Sequence, residues 1–147
     1  MRHITFSAEV HAPFETIWKL LIDRIEHPQE YFPGAETARI VERHGDEVIR
    51  EVKANGVALR ERVTIDRNAF EIRYTLLEHP LFSGTVTHKA VPFARQSPVS
   101  PVQLTMVVDW VPKSEEAERT ILENMPSEIQ QEVLSLKEKA EALARED

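Results

Sequence analysis

Short runs of alternating apolar and polar residues dominate the chain between residues 36 and 111. Because successive side chains of a strand point to opposite faces, a period of two predicts strands with one buried face. Four turn signals separate the runs: Gly45-Asp46, Asn55-Gly56, Arg67-Asn68 and Pro80. This spacing predicts an antiparallel meander of five hairpin-linked strands, with a sixth strand after a proline-containing loop at 92–101.

The flanking segments add one strand and two helices. Alternation over 3–10 predicts a first strand, and apolar residues spaced by three and four predict a helix over 13–26. The tail after Lys113 carries one apolar stripe: Ala117, Ile121, Met125, Ile129, Leu136, Ala140 and Leu143. The stripe predicts a long final helix, which Pro126 must kink or split. The order of elements predicts an α+β fold in which a concave antiparallel sheet of six to seven strands grips the final helix.

Length, charge and composition exclude several classes of function. At 147 residues we expect one domain over 1–147, and 25 acidic against 18 basic residues give a net charge of −7 that disfavours nucleic acid and anionic membranes. The chain has no cysteine, which fits a reducing compartment, so we expect a cytoplasmic protein. No apolar run approaches the roughly 18 residues of a spanning helix, so membrane insertion is not expected.

The Asn55-Gly56 pair predicts a two-residue turn and therefore a register. Counting back from it sets Arg50 opposite Glu61 on one face, among aliphatic residues. A two-residue turn at Arg67-Asn68 then pairs Ile65 with Phe70 and Val63 with Ile72, which sets Tyr74 opposite Glu61. On the following strand the same parity sets Val86 beside Tyr74 and His88 beside Ile72. The predicted result is a row of polar side chains on an otherwise apolar face.

Two interpretations of this row stay open. Buried in a filled core, Arg50 and Glu61 would each lose hydration worth several kcal/mol, which favours a cavity where Arg50 binds a polar ligand group, assisted by Glu61, Tyr74 and His88. Alternatively, Arg50, Glu61 and Tyr74 form a satisfied internal network that only fixes the strand register. A salt-bridged glutamate is a weak base, so His88 is the better proton-transfer candidate, although no catalytic residue is assigned.

The remaining candidates come from aromatic and methionine positions. Tyr31 and Phe32 form either a gate over the cavity mouth or a packed plug. Trp110 lines the cavity or packs on the final helix, and Met106 and Met125 are adaptable filler near the pocket. The sequence lacks a glycine-rich phosphate loop, a Gly-x-Ser-x-Gly elbow and paired histidines at metal-ligand spacing, so we expect neither a cofactor nor a metal.

Several segments also resemble a known family. The matching segments are residues 10–18 (VHAPFETIW), 20–23, 31–34, 49–66 and 108–112. The first two resemble the opening of the START and birch-pollen-allergen (SRPBCC) helix-grip superfamily, and the others resemble its AtaL-like subfamily. The resemblance implies a cavity between sheet and final helix that holds a hydrophobic small molecule, with cyclase or dehydratase activity in some relatives. The superfamily has no common catalytic motif, so the resemblance assigns no catalytic residue.

These observations predict a protein that binds a hydrophobic small molecule or lipid with a polar head in an internal cavity. An enzyme similar to polyketide cyclases and dehydratases, acting on an enolisable aromatic or polyketide substrate, is the alternative. A homodimeric interaction protein with a filled core is a third class. An empty apolar interior below about 300 Å³ would favour that class.

Overall fold

The computed structural model describes residues 2–31, 34–94, 97 and 100–146. Seven strands and two helices follow one another in the order β1, α1, β2 to β7, α2. The strands are β1 Arg2–Val10, β2 Ala35–His44, β3 Glu47–Ala54, β4 Val57–Asp66, β5 Glu71–Glu78, β6 Phe82–Pro92 and β7 Val102–Pro112. The helices are α1 Phe14–Glu26 and α2 Glu115–Glu146, with a single 3₁₀ turn at Pro28–Glu30.

The strands form one antiparallel sheet in the order β1-β7-β6-β5-β4-β3-β2. The first strand therefore pairs with the last, Phe6 opposite Met106, while β2 to β6 form the predicted meander. The long helix α2 lies against β1 and β7 and also contacts α1. The predicted α+β helix-grip fold, a curved sheet around a long C-terminal helix, is confirmed.

The turn at Asn55-Gly56 fixes the register of β3 and β4 as predicted. Asn55 has φ +51° and Gly56 φ +77°, the left-handed conformation that a type I′ turn needs at both positions. Ala54 pairs with Val57, and Arg50 lies opposite Glu61. The tight local turn is thus sufficient to set a cation and an anion side by side.

The next turn differs from the prediction by two residues. Ile65 pairs with Ile72 and Asp66 with Glu71, so the four residues 67–70 form the loop. Tyr74 therefore lies opposite Val63, and Glu61 lies opposite Leu76. The Asp66 carboxylate accepts a hydrogen bond from the backbone N–H of Ala69 at 3.1 Å, and Phe70 takes a positive φ of +57°. This side-chain-supported turn needs more residues than the predicted one. A shift of two keeps every side chain on its predicted face.

The structure contradicts two predictions for α2, that Pro126 splits the helix and that Leu143 belongs to its buried stripe. The helix runs without a break from Glu115 to Glu146, so Pro126 does not split it. Proline has no backbone N–H, so the carbonyl of Leu122, four residues before Pro126, loses its helical hydrogen bond. Both residues are exposed, so water can bond to that carbonyl instead. Leu143, which was predicted to belong to the apolar stripe, is 39% exposed, whereas Val133, which was not included in it, is fully buried.

The apolar core has two parts. The larger part joins α1, the inward face of the sheet and the second half of α2. The smaller part consists of Phe82, Ala117 and Ile121 near the start of α2. Partly buried residues, among them Trp110 and Met125, pack against both parts. No helix among the described residues is both long enough and apolar enough to cross a membrane.

Candidate functional site

The Arg50 guanidinium is buried between β4 and the end of α1. Its Nε donates to Glu61 Oε1 at 2.9 Å, and its Nη2 lies 2.8 Å from the same oxygen. Its Nη1 donates to the carbonyl oxygens of Ile25 at 2.7 Å and Arg24 at 3.4 Å. These carbonyls belong to the last turn of α1, which has unpaired acceptors and a partial negative charge. Arg50 therefore ties the C-terminal end of α1 to the sheet.

A second buried arginine, Arg24 on α1, adds the long helix to this cluster. Its side chain forms an ion pair with Glu132 of α2. Burial lowers the pKa of Arg24, the nearby charge of Arg50 lowers it further, and Tyr74 and Glu61 oppose the shift. The two arginines and two glutamates thus join α1, the sheet and α2 through charges whose formal sum is zero.

Arg24 and Glu132 are the site residues that sequence reasoning missed. Arg24 follows Ile17 by seven positions and Leu21 by three, which places it on the apolar face of α1. Glu132 lies four positions before Leu136 and borders the buried stripe of α2 in the same way. A charge inside an apolar helical stripe was therefore the available signal.

The Tyr74 ring is the centre of the cluster. The guanidinium carbon of Arg50 lies 4.9 Å from the ring centroid, and that of Arg24 lies 5.6 Å from it. Both distances are within the range of cation–π attraction. The His88 ring meets Tyr74 edge-on, with the centroids 5.5 Å apart. The structure thus brings together the four predicted residues Arg50, Glu61, Tyr74 and His88.

His88 differs from its neighbours because its polar atoms have no partner. The residue is 1% exposed, and neither ring nitrogen has a hydrogen-bond partner in the part of the chain that the structure describes. Burial lowers the pKa of His88 well below 6.5, and the charges of Arg24 and Arg50 lower it further. The imidazole is therefore neutral at pH 7, with one donor and one acceptor to offer. Leaving such a buried group unpaired costs about 1–3 kcal/mol.

The other predicted residues lie at three separate places. Met106 is buried opposite His88 on β7. Tyr31 is buried beside α1, where its hydroxyl donates to Asp23 Oδ2 at 2.7 Å, and burial with this contact raises the pKa of Tyr31. Phe32 lies outside the described residues. Trp110 stacks on Phe82 with the centroids 4.7 Å apart, in the smaller part of the core.

Two surface grooves border α1, and neither is lined by the Tyr74 cluster. The first, of about 460 Å³, lies between α1 and strands β2 to β4 and is lined by Trp18, Ile22 and Ile65 among others. The second, of about 480 Å³, lies between α1 and the end of α2. Arg24, Arg50, Glu61, Tyr74 and His88 are each at most 7% exposed. These five side chains are therefore shielded from solvent, and neither groove reaches them.

One group of side chains has the composition of a metal site. Asp23, His27 and Glu30 each offer one ligand atom within 4.8 Å of the others. Both oxygens of Asp23 already accept hydrogen bonds, one from Tyr31 and one shared with His27 Nδ1 at 3.1 Å. The hydrogen bond from Tyr31 is the largest cause of the lowered pKa of Asp23. The carboxylate thus has protein partners that account for its position.

The chain matches one protein-family model and is similar to several solved structures. The model described as acetylaranotin biosynthesis cluster protein L matches residues 8–144. No curated protein sequence matches the chain. The Zhui aromatase/cyclase from Streptomyces sp. R1128 is similar in structure, with a TM-score of 0.82 and 19% identity over 95% of this chain and 93% of that chain.

Two further structures have the same fold. The di-domain ARO/CYC BexL from the BE-7585A biosynthetic pathway matches with a TM-score of 0.72 and 16% identity over 94% of this chain and 46% of its own. A START superfamily protein from Mycobacterium smegmatis matches with a TM-score of 0.65 and 19% identity over 96% of this chain and 98% of its own. At these identities the likeness shows a common fold.

Removing the charge of Glu61 should destabilise the fold far more than removing a surface charge. In Glu61→Gln the buried Arg50 guanidinium loses its counter-charge, so we expect the free energy of unfolding to fall by about 3 kcal/mol. The control is Glu51→Gln on the outer face, where Glu51 pairs with the exposed Arg39 at 2.6 Å. It should cost about 0.5 kcal/mol or less. Urea unfolding measures the free energy of unfolding of both variants. Equal small decreases in the two variants would contradict the assignment of Arg50 and Glu61 as a buried ion pair.

The neutral state of His88 predicts a pH dependence of stability. Because its pKa is lower in the folded than in the unfolded chain, the unfolded chain binds the proton first on acidification. The titration of His88 therefore leaves the free energy of unfolding unchanged well above pH 6.5 and lowers it below that pH, by up to about 1.4 kcal/mol per pH unit. Urea unfolding at pH 5 and pH 7 should show a steeper loss for the wild type than for His88→Leu. Equal losses would contradict the assignment.

Proposed function

The chain belongs to the AtaL family of START-like helix-grip proteins, and from this premise we propose that it binds one hydrophobic small molecule with a polar head between the sheet and α2. The observation that carries the proposal is His88, which is fully buried with both ring nitrogens unpaired among the described residues. Buried polar groups almost always have a partner. A neutral imidazole in an apolar interior is suited to a hydroxyl or carbonyl head group.

The other residues of the cluster have distinct roles in this proposal. His88 contacts the polar head, while its neighbours Tyr74 and Met106 contact the apolar part of the ligand next to that head. Arg50 and Glu61 hold the wall of the site, because the guanidinium is already bonded to Glu61 and to the end of α1. In this proposal Trp110 and Met125 contact the ligand towards the smaller core, and Tyr31 closes the region beside α1.

A purely structural network is the competing explanation for part of the cluster. The contacts of Arg50 fit that explanation, since its described partners are groups of the protein itself. The same explanation does not account for His88, which adds an unpaired polar group to the core. His88 is therefore the residue that distinguishes ligand binding from a purely structural network.

Native mass spectrometry of the purified protein should detect a bound small molecule. His88→Leu should bind the same molecule about tenfold more weakly, because one hydrogen bond to the ligand is lost. The ligand-free His88→Leu protein should be more stable than the ligand-free wild type by about 1–2 kcal/mol, because leucine removes the unpaired polar atoms.

The control is His44→Leu, at a histidine whose side chain is 78% exposed on β2. It should change neither ligand affinity nor stability. A protein that carries no small molecule, combined with a His88→Leu variant less stable than the wild type, would contradict the proposal. That result would make His88 a satisfied core residue.

A second candidate function is proton transfer on an enolisable aromatic or polyketide substrate. The contact between neutral His88 and Tyr74, in a fold similar to aromatase/cyclases, favours it. Deuterium exchange into 2-tetralone, followed by NMR in D₂O, tests this chemistry. Wild-type acceleration should fall by roughly 100-fold or more in both His88→Ala and Tyr74→Phe. Acceleration that survives in both variants would eliminate the assignment.

A further inference from the structure

A second unpaired donor lies on the same face of the sheet as His88. Trp110 Nε1 is buried and has no hydrogen-bond partner among the described residues. The ring is held by stacking on Phe82 at 4.7 Å and by a tilted contact with His79 at 5.8 Å. An indole N–H can only donate, so it needs an acceptor from outside the described protein groups.

The register gives the separation of the two groups. His88 of β6 lies opposite Met106 of β7, and Trp110 follows Met106 by four residues on the same face. At about 3.3 Å per residue, the two polar groups are therefore about 13 Å apart along the strands. The pair Val86 and Val108 lies between them and is apolar.

The position opposite Trp110 is a glycine, and the backbone requires it. Gly84 has φ +116°, and a Cβ built on it would lie 2.1 Å from the carbonyl oxygen of Asp109. Strand β6 therefore presents no side chain at this level of the inward face. The apolar stretch that begins at His88 thus ends at the buried, unpaired indole N–H of Trp110, opposite a position with no side chain.

We propose that the ligand of this interior is an elongated apolar molecule with two polar ends, a hydroxyl bound at His88 and a hydrogen-bond acceptor bound at Trp110. This inference rests on the proposed function and adds the length and the second polar group of the ligand. A hydroxyl suits a neutral imidazole because both can donate and accept, whereas the indole requires an oxygen or nitrogen lone pair.

A pair of simple probes tests the inference: 1-decanol and 1,10-decanediol. Titration followed by ¹H–¹⁵N NMR reports on the indole N–H of Trp110, and the only other tryptophan of the chain, Trp18, is the internal control. We expect both probes to bind. The diol should bind about tenfold more tightly, because its second hydroxyl accepts one additional hydrogen bond. Only the diol should shift the Trp110 indole signal downfield.

Trp110→Phe is the matched variant, since it keeps an aromatic ring against Phe82 without the N–H. It should abolish the advantage of the diol, so that the ratio of the two affinities falls from about ten to about one within this variant. Equal affinity of both probes for the wild type, with the same Trp110 signal, would overturn the two-ended ligand and leave the proposed function standing. If neither probe binds and the His88 ring signals do not move, the proposed function fails and this inference fails with it.

Discussion

The arrangement of the interior depends on the Arg50 guanidinium, which bonds to Glu61 on the sheet and to the last carbonyls of α1. Removing this charge from water is expensive, and the ion pair together with the helix-end acceptors offsets the cost. Arg24 extends the link from α1 to Glu132 of α2. The polar cluster therefore fixes both helices relative to the sheet that carries the proposed ligand contacts.

The same charges determine the chemistry of the unpaired histidine. Burial and two neighbouring guanidinium groups keep His88 neutral by lowering its pKa. A neutral ring can donate one hydrogen bond and accept another, while a charged ring in this place would be repelled. A stable fold would gain from an apolar residue at this position, and natural proteins often give up stability at sites of function.

The sequence predicted the parts of the structure that local chemistry determines. The Asn55-Gly56 turn has a fixed geometry, so counting from it placed Arg50 opposite Glu61 correctly. The loop before Phe70 failed because an Asp66 side-chain hydrogen bond supports a longer turn. Arg24 and Glu132 were missed because their burial depends on helices that meet only in the tertiary structure. Side-chain parity survived these errors, which is why the inward-facing row was predicted despite a wrong partner for Tyr74.

A crystal structure of the purified protein tests the central claim most directly, through the electron density around the two ring nitrogens of His88. The proposal predicts density for a non-protein molecule within hydrogen-bond distance of the imidazole, extending along β6 and β7. Protein carbon atoms packed against both nitrogens, with continuous side chains filling the interior, would contradict it.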